Sequence, residues 1–177
     1  MSNTGSRTNQ LAIDAMLAAM CSVLGYISLD FISLKITFES VPILIGALLF
    51  GPLDGAAIGL VGTLIYQMLR YGVSATTLLW ILPYVLCGLL VGWYARARRF
   101  ELTQMQTLFI VVAAELLVTC LNTGVIYVDS KLYGYYTPAL ITGSLALRLA
   151  ICVGKAVVYS FALSPLLKAV RRRGETV

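Results

Sequence analysis

The feature that most constrains this chain is a succession of apolar runs, each about as long as a bilayer is thick, separated by short polar links. A helix that crosses the hydrocarbon layer needs about 20 mainly apolar residues, and such runs fill the 177-residue sequence from Leu11 to Leu167. With 59% hydrophobic and 12% charged residues, the chain has no stretch left over for a separate soluble domain. It therefore reads as an all-α integral membrane protein. The opening run, Leu11 to Leu29, is longer than the roughly 7 to 15 residues of a signal-peptide core and has no small-residue cleavage site after it, so it is expected to stay as the first helix.

Six helices are expected, over about 11–29, 38–51, 53–69, 78–95, 105–128 and 139–167. They form one transmembrane bundle, residues 11–168, between a flexible N-terminus (1–10) and a basic tail (169–177). Gly51-Pro52 must interrupt the second run, because proline disfavours helical geometry in the residue before it. Eight of the thirteen basic residues are Arg7, Arg96, Arg98, Arg99, Lys168, Arg171, Arg172 and Arg173, all at the same side of a six-helix bundle. The positive-inside rule makes that side, with both termini, cytoplasmic. This distribution orients a membrane protein and does not suit nucleic-acid binding.

The three outer links, 30–40, 70–77 and 129–138, are rich in aromatic and hydroxyl residues. The first is expected to be an ordered loop at the membrane surface. Phe31, Phe38, Tyr71, Tyr133, Tyr135 and Tyr136 suit either an interfacial belt or the walls of a pocket. Trp80 and Tyr84 lie at the outer end of the fourth helix.

Charges inside the helices carry the strongest functional signal, since an unpaired charge at membrane depth costs several kcal/mol. Glu115, Arg148 and Lys155 are such charges. If helices five and six are antiparallel about residues 133 and 134, Glu115 lies level with Cys152, about 6 Å of rise or less from both cations. It is expected to pair with one of them. Arg148, nearer the outer side, is the candidate for an anionic or carbonyl-rich ligand because its planar fork matches a carboxylate. Asn122, outward of Glu115 on the same helix, is a neutral partner for the same cavity, and Asp14 is expected to face headgroups or another protein.

Helix one also carries Ala15 and Ala19 one turn apart, with Ala12 and Ala18 beside them. Small residues let helix backbones approach closely in lipid, so this face suits either a helix of the same chain or a partner protein. Chemistry, by contrast, has no visible apparatus. The chain has no histidine and no P-loop, and its four cysteines lie in four separate apolar runs without metal-ligand spacing. Neither an enzyme, a metal site nor a cofactor is expected. A stand-alone channel or facilitator for a small solute is the competing reading.

Several segments together resemble one family, the substrate-binding S components of energy-coupling factor (ECF) vitamin transporters, over essentially the whole chain. They are Ala15-x-x-x-Ala19, the approach Lys35-Ile-Thr-Phe-Glu-Ser-Val-Pro42, and Leu49-Phe50-Gly51-Pro52-Leu53-Asp54-Gly55. The last looks most like the branch of folate, pantothenate and cobalamin carriers. The resemblance implies that a B-type vitamin is captured from outside by the loops and the outer ends of helices four to six. It also implies that Ala15 and Ala19 dock on a transmembrane coupling subunit driven by two cytoplasmic ATPases. Folate ranks narrowly first, with Lys35, Arg70 and Arg148 to hold its glutamate tail, ahead of cobalamin and pantothenate. Phe38, Trp80, Tyr84, Asn122, Tyr133 and Tyr136 complete the expected site.

Overall fold

The computed structural model describes residues 3–31 and 34–174, with side chains described at 7–28, 37–139, 141–142, 145–163 and 165. Six helices follow one another: α1 Asn3–Tyr26, α2 Ser40–Leu49, α3 Pro52–Tyr71, α4 Thr77–Ala97, α5 Gln104–Leu132 and α6 Pro138–Gly174. Among the described residues four segments are long and apolar enough to cross a membrane: α3, α4, α5 and the Leu145–Leu163 part of α6. At 1.5 Å per residue α2 is only about 15 Å long, and it serves as the centre of the bundle. Seven of its residues are buried, among them Ile43, Leu44 and Leu48, and it packs against α1, α3, α4 and α6.

Local chemistry fixes the boundaries. Gly51 takes φ 115°, a conformation that side-chain-bearing residues rarely adopt, and Pro52 follows at the first turn of α3, where its missing N–H costs no helical bond. Thr103 and Gln106 close a reciprocal capping box at the start of α5. The helices exceed their sequence-read limits chiefly at polar ends. Thus α1 begins at Asn3 within the segment expected to be a flexible terminus, and α6 runs through Arg171, Arg172 and Arg173 to Gly174. Polar flanks extend these helices because water or headgroups can solvate their side chains while the backbone bonds continue.

The link expected to be a surface loop holds two short strands, β1 Leu29–Phe31 and β2 Leu34–Ile36. They pair antiparallel, with Asp30 opposite Lys35. Only Phe31 and Ile36 among their six residues are of strand-favouring type. The described fold is therefore helical with one small hairpin, which leads directly into α2.

Glycines set the closest helix contact. A Cβ on Gly88 of α4 would lie 2.3 Å from the backbone carbon of Gly55 in α3, so the two helices touch main chain to main chain. This seam, with Gly59 against Tyr84 and Gly92 against Pro52, holds the start of α3 against the second half of α4, away from the loop that joins them.

Candidate functional site

The cavity has a volume of about 510 Å³, within the range of small-molecule sites. Among the described residues its walls come from α2 to α6 and the links beside them. Thr37, Glu39 and Ser40 contribute from the hairpin side, Tyr66, Gln67 and Tyr71 from α3, and Trp80 and Tyr84 from α4. Glu115, Thr119, Asn122 and Asp129 line it from α5, and Arg148, Cys152 and Lys155 from α6.

At its deep end Lys155 Nζ lies 2.9 Å from Glu115 Oε2, and 3.4 Å from the carbonyl of Thr37. Glu115 is 1% exposed. The meeting follows from helix direction. Side chains lean toward the N-terminus of their helix, so on antiparallel helices Glu115 leans deeper while Lys155 leans toward the loops. Arg148 lines the cavity seven residues closer to the α5–α6 loop and makes no ion pair among the described residues.

Glu39 is a site residue that the sequence reading quoted without assigning it a role. It sits at the N-cap of α2 yet caps no backbone amide with its side chain. Its carboxylate instead accepts hydrogen bonds from the Tyr84 hydroxyl and, at 2.9 Å, from Thr37 Oγ1. Room for it is made by Gly25, where a Cβ would stand 2.8 Å from Glu39 Oε2. The available signal was an acidic residue directly before a strongly apolar helix. Such a residue ordinarily reads as a partner of the helix dipole, which masks any other role.

At the loop end Asp129 clasps two links at once. One carboxylate oxygen accepts from Thr76 Oγ1 at 2.6 Å and the other from the Tyr135 hydroxyl. Burial first, and then Asp129, push the Tyr135 phenol up to about 12, so it remains a donor at neutral pH.

Of the residues read from sequence, Trp80, Tyr84, Asn122, Glu115, Arg148 and Lys155 line this cavity together. Other residues have different places. Arg70 donates to the Tyr26 carbonyl at 3.0 Å and lies over the Tyr26 and Tyr71 rings, so its charge is held at the α1–α3 edge. Phe38 packs edge-on against Tyr159, beside the core. Tyr136 meets Tyr127 and Lys131 on the surface, and Tyr133 is 53% exposed. The side chain of Lys35 lies outside the described residues. Ala15 and Ala19 are both exposed on α1, away from the cavity.

A bundle of apolar helices around a cavity lined by hydroxyl, aromatic and charged groups defines an integral membrane protein that binds a small solute. Its family follows from comparison. The model of the ECF transporter substrate-specific component matches residues 9–170, and the chain belongs to that family. It is a transporter substrate-binding component and not a member of an enzyme class. A solved structure described as the S component of a bacterial ECF transporter shares 22% identity, with TM-score 0.62, over 96% of this chain and 97% of that one. Another, described as the S component for biotin from an ECF-type ABC transporter, gives TM-score 0.68 at 14% identity over 97% of this chain and 95% of that one. At these identities the two structures share the fold. No curated protein matches the sequence.

Proposed function

We propose that this chain captures a B-type vitamin from the external side, with six membrane-embedded helices and both termini in the cytoplasm. It then delivers the vitamin by docking, through Ala15 and Ala19, on a transmembrane coupling subunit driven by two ATPases. The observation that carries this reading is the cavity of about 510 Å³ with Arg148 on its wall and no carboxylate paired to it among the described residues. A guanidinium held in a partly dry site and not neutralised by the protein suits a ligand carboxylate. The exposed Arg96, Arg98 and Arg99 lie at the end of the bundle opposite Thr76, Asp129 and Tyr135, which supports placing the cavity mouth outside.

Among the vitamins considered, the volume argues against cobalamin, whose corrin macrocycle and nucleotide loop far exceed a drug-sized ligand. Arg70 is engaged elsewhere, so among the described residues Arg148 serves the carboxylate end. Folate, pantothenate and, by likeness of fold to the biotin component, biotin each carry a carboxylate. Folate ranks first because the aromatic walls of Tyr66, Trp80 and Tyr84 suit flat rings.

Mass spectrometry of the small molecule that co-purifies in mild detergent tests the ligand. Pull-down tests the partners: a membrane coupling protein and two ATPases should accompany the chain, and uptake should stop when ATP hydrolysis stops. Uptake by the purified chain alone in liposomes would instead establish a stand-alone facilitator. Arg148→Ala should weaken vitamin binding about 10-fold or more, read by calorimetry, and unchanged affinity would move the carboxylate site elsewhere.

A further inference from the structure

The last turn of α4 and the link that follows it, at the end of the bundle opposite Thr76, Asp129 and Tyr135, carry Arg96, Arg98 and Arg99. All three are exposed, and among the described residues none of them makes an ion pair, although the exposed Glu101 stands in the same link. Three cations against one carboxylate leave this patch positive. Its depth follows from helix length. The 21 residues of α4 rise about 30 Å, the thickness of the hydrocarbon layer, so the turn after them lies among lipid headgroups.

The turn itself is firmly held. Arg99 N–H donates to the Arg96 carbonyl at 3.0 Å and Phe100 N–H to the Ala95 carbonyl at 2.8 Å, the paired bonds of a Schellman helix end. That end requires a left-handed residue at the position of Arg99, whose φ is 53°, and Phe100 follows with φ 62°. Glycine is the usual occupant, because a side chain is strained there. The helix dipole accounts for a cation in the last turn, such as Arg96. It does not account for an arginine at a position where glycine would suit the backbone better. Phe100 fixes the link from within: it packs against the core, and a Cβ on Gly51 would stand 3.6 Å from its Cζ. The Arg98 guanidinium lies over the Tyr94 ring, 5.6 Å from its centre. Beside the cations the surface turns apolar. Trp93, one turn before Arg96, is 73% exposed, and Met105 and Phe109 are exposed at the start of α5.

We propose that Arg96, Arg98 and Arg99 bind the headgroup of an anionic phospholipid, whose acyl chains lie along Trp93 and the exposed start of α5. A planar guanidinium matches phosphate oxygens two at a time, and an anionic leaflet attracts each arginine near its surface. Net charge selects the lipid, since a zwitterionic headgroup offers the same phosphate together with a cation that the patch repels. A bilayer supplies charge and hydrocarbon at the depths where the protein presents arginine and indole, as a free anion or an acidic protein surface does not. This site is separate from the cavity and is independent of the solute held there.

The full chain with Trp80→Phe, which leaves Trp93 as its one tryptophan, is reconstituted in phosphatidylcholine nanodiscs. A minor share of the lipid is brominated on its acyl chains, as either phosphatidylglycerol or phosphatidylcholine. Bromine in contact with the indole quenches it, and the phosphatidylglycerol should do so at about 10-fold or more lower mole fraction. Arg99→Gly should lose about 5-fold of this preference, yet melt at or above the temperature of the parent in neutral detergent, because glycine relieves the turn. An arginine with a purely structural role would not set binding against stability in this way. The variant with Arg96→Gln, Arg98→Gln and Arg99→Gln together should be quenched equally by both lipids. Inorganic phosphate should reduce the preference of the parent no more than sodium chloride of the same ionic strength. Equal quenching by the two lipids in the parent overturns the proposal and leaves the arginines to an acidic partner surface. A full preference kept by Arg99→Gly or by the triple variant overturns it as well. Displacement by phosphate beyond the effect of salt would make this a free-anion site and overturn the assignment to lipid.

Discussion

At the scale of single residues, the pairing of Glu115 with Lys155 is asymmetric. Glu115 is 1% exposed, whereas the Lys155 side chain keeps 19% of its surface accessible and also reaches the Thr37 carbonyl. Removing either partner strands the other, but a stranded, fully buried carboxylate has fewer alternatives than a lysine with a second acceptor. Lys155→Met should therefore cost about 3 kcal/mol or more, a fall of roughly 6 to 12 °C in the detergent melting temperature. Glu115→Gln should cost clearly less. Equal losses would show that Lys155 gains nothing from Thr37. The sequence made this pair legible down to two possible cations, because an antiparallel hairpin of helices ties depth to residue number. The choice of Lys155 over Arg148 needed the lean of the side chains, which the numbering does not contain. Glu39 was harder to read, since its role depends on Tyr84, 45 residues away, and on the space left by Gly25.

Elements were legible where polarity changes sharply, and less so where it changes gradually. Gly51-Pro52 marked the α2–α3 break within a residue or two, while the polar starts of α1 and the basic end of α6 concealed helix that continues beyond the apolar run. The hairpin was missed because strands of three residues are too short for a period-two pattern to stand out. What holds the elements at the cavity is the glycine seam between α3 and α4 and the clasp at Asp129. Gly88→Ala puts a methyl group into the backbone of Gly55 and must push the helices apart. The expected cost is about 1 to 3 kcal/mol, with loss of ligand binding as Tyr84 is carried away from Glu39. Thermal melting and a titration on the same sample check both parts. Asp129→Asn keeps the size of the side chain but weakens its bonds to Thr76 and Tyr135, which join the two loops over the cavity mouth. Ligand dissociation should accelerate about 5-fold or more, measured by stopped-flow chase, and an unchanged off-rate would show that the clasp does not retain the ligand.

At the scale of the whole molecule, the cavity and the proposed docking face lie on separate surfaces, and this separation can be tested. The cavity is walled by α2 to α6 and their links, while among the described residues α1 contributes no lining residue and exposes Ala12, Ala15, Met16, Ala19 and Met20. The opposite side of α1 is fixed: Leu17, Ala18 and Cys21 are buried, and Ser22 donates to the carbonyl of Gly62 at 2.9 Å. A bulky residue at 15 or 19 therefore enlarges the exposed face without disturbing the packing against α3. In a membrane, where close backbone approach replaces hydrophobic burial as the source of helix association, one indole on a small-residue face is enough to keep a partner helix away. Ala15→Trp and Ala19→Trp should thus retain the vitamin affinity of the parent within about 2-fold, melt within a few degrees of it, and lose ATP-dependent uptake in proteoliposomes reconstituted with the coupling subunit and its ATPases. Retained uptake would place the docking surface elsewhere. Lost affinity in a variant that melts normally would mean that α1 influences the cavity through α3, and that the two surfaces are not independent.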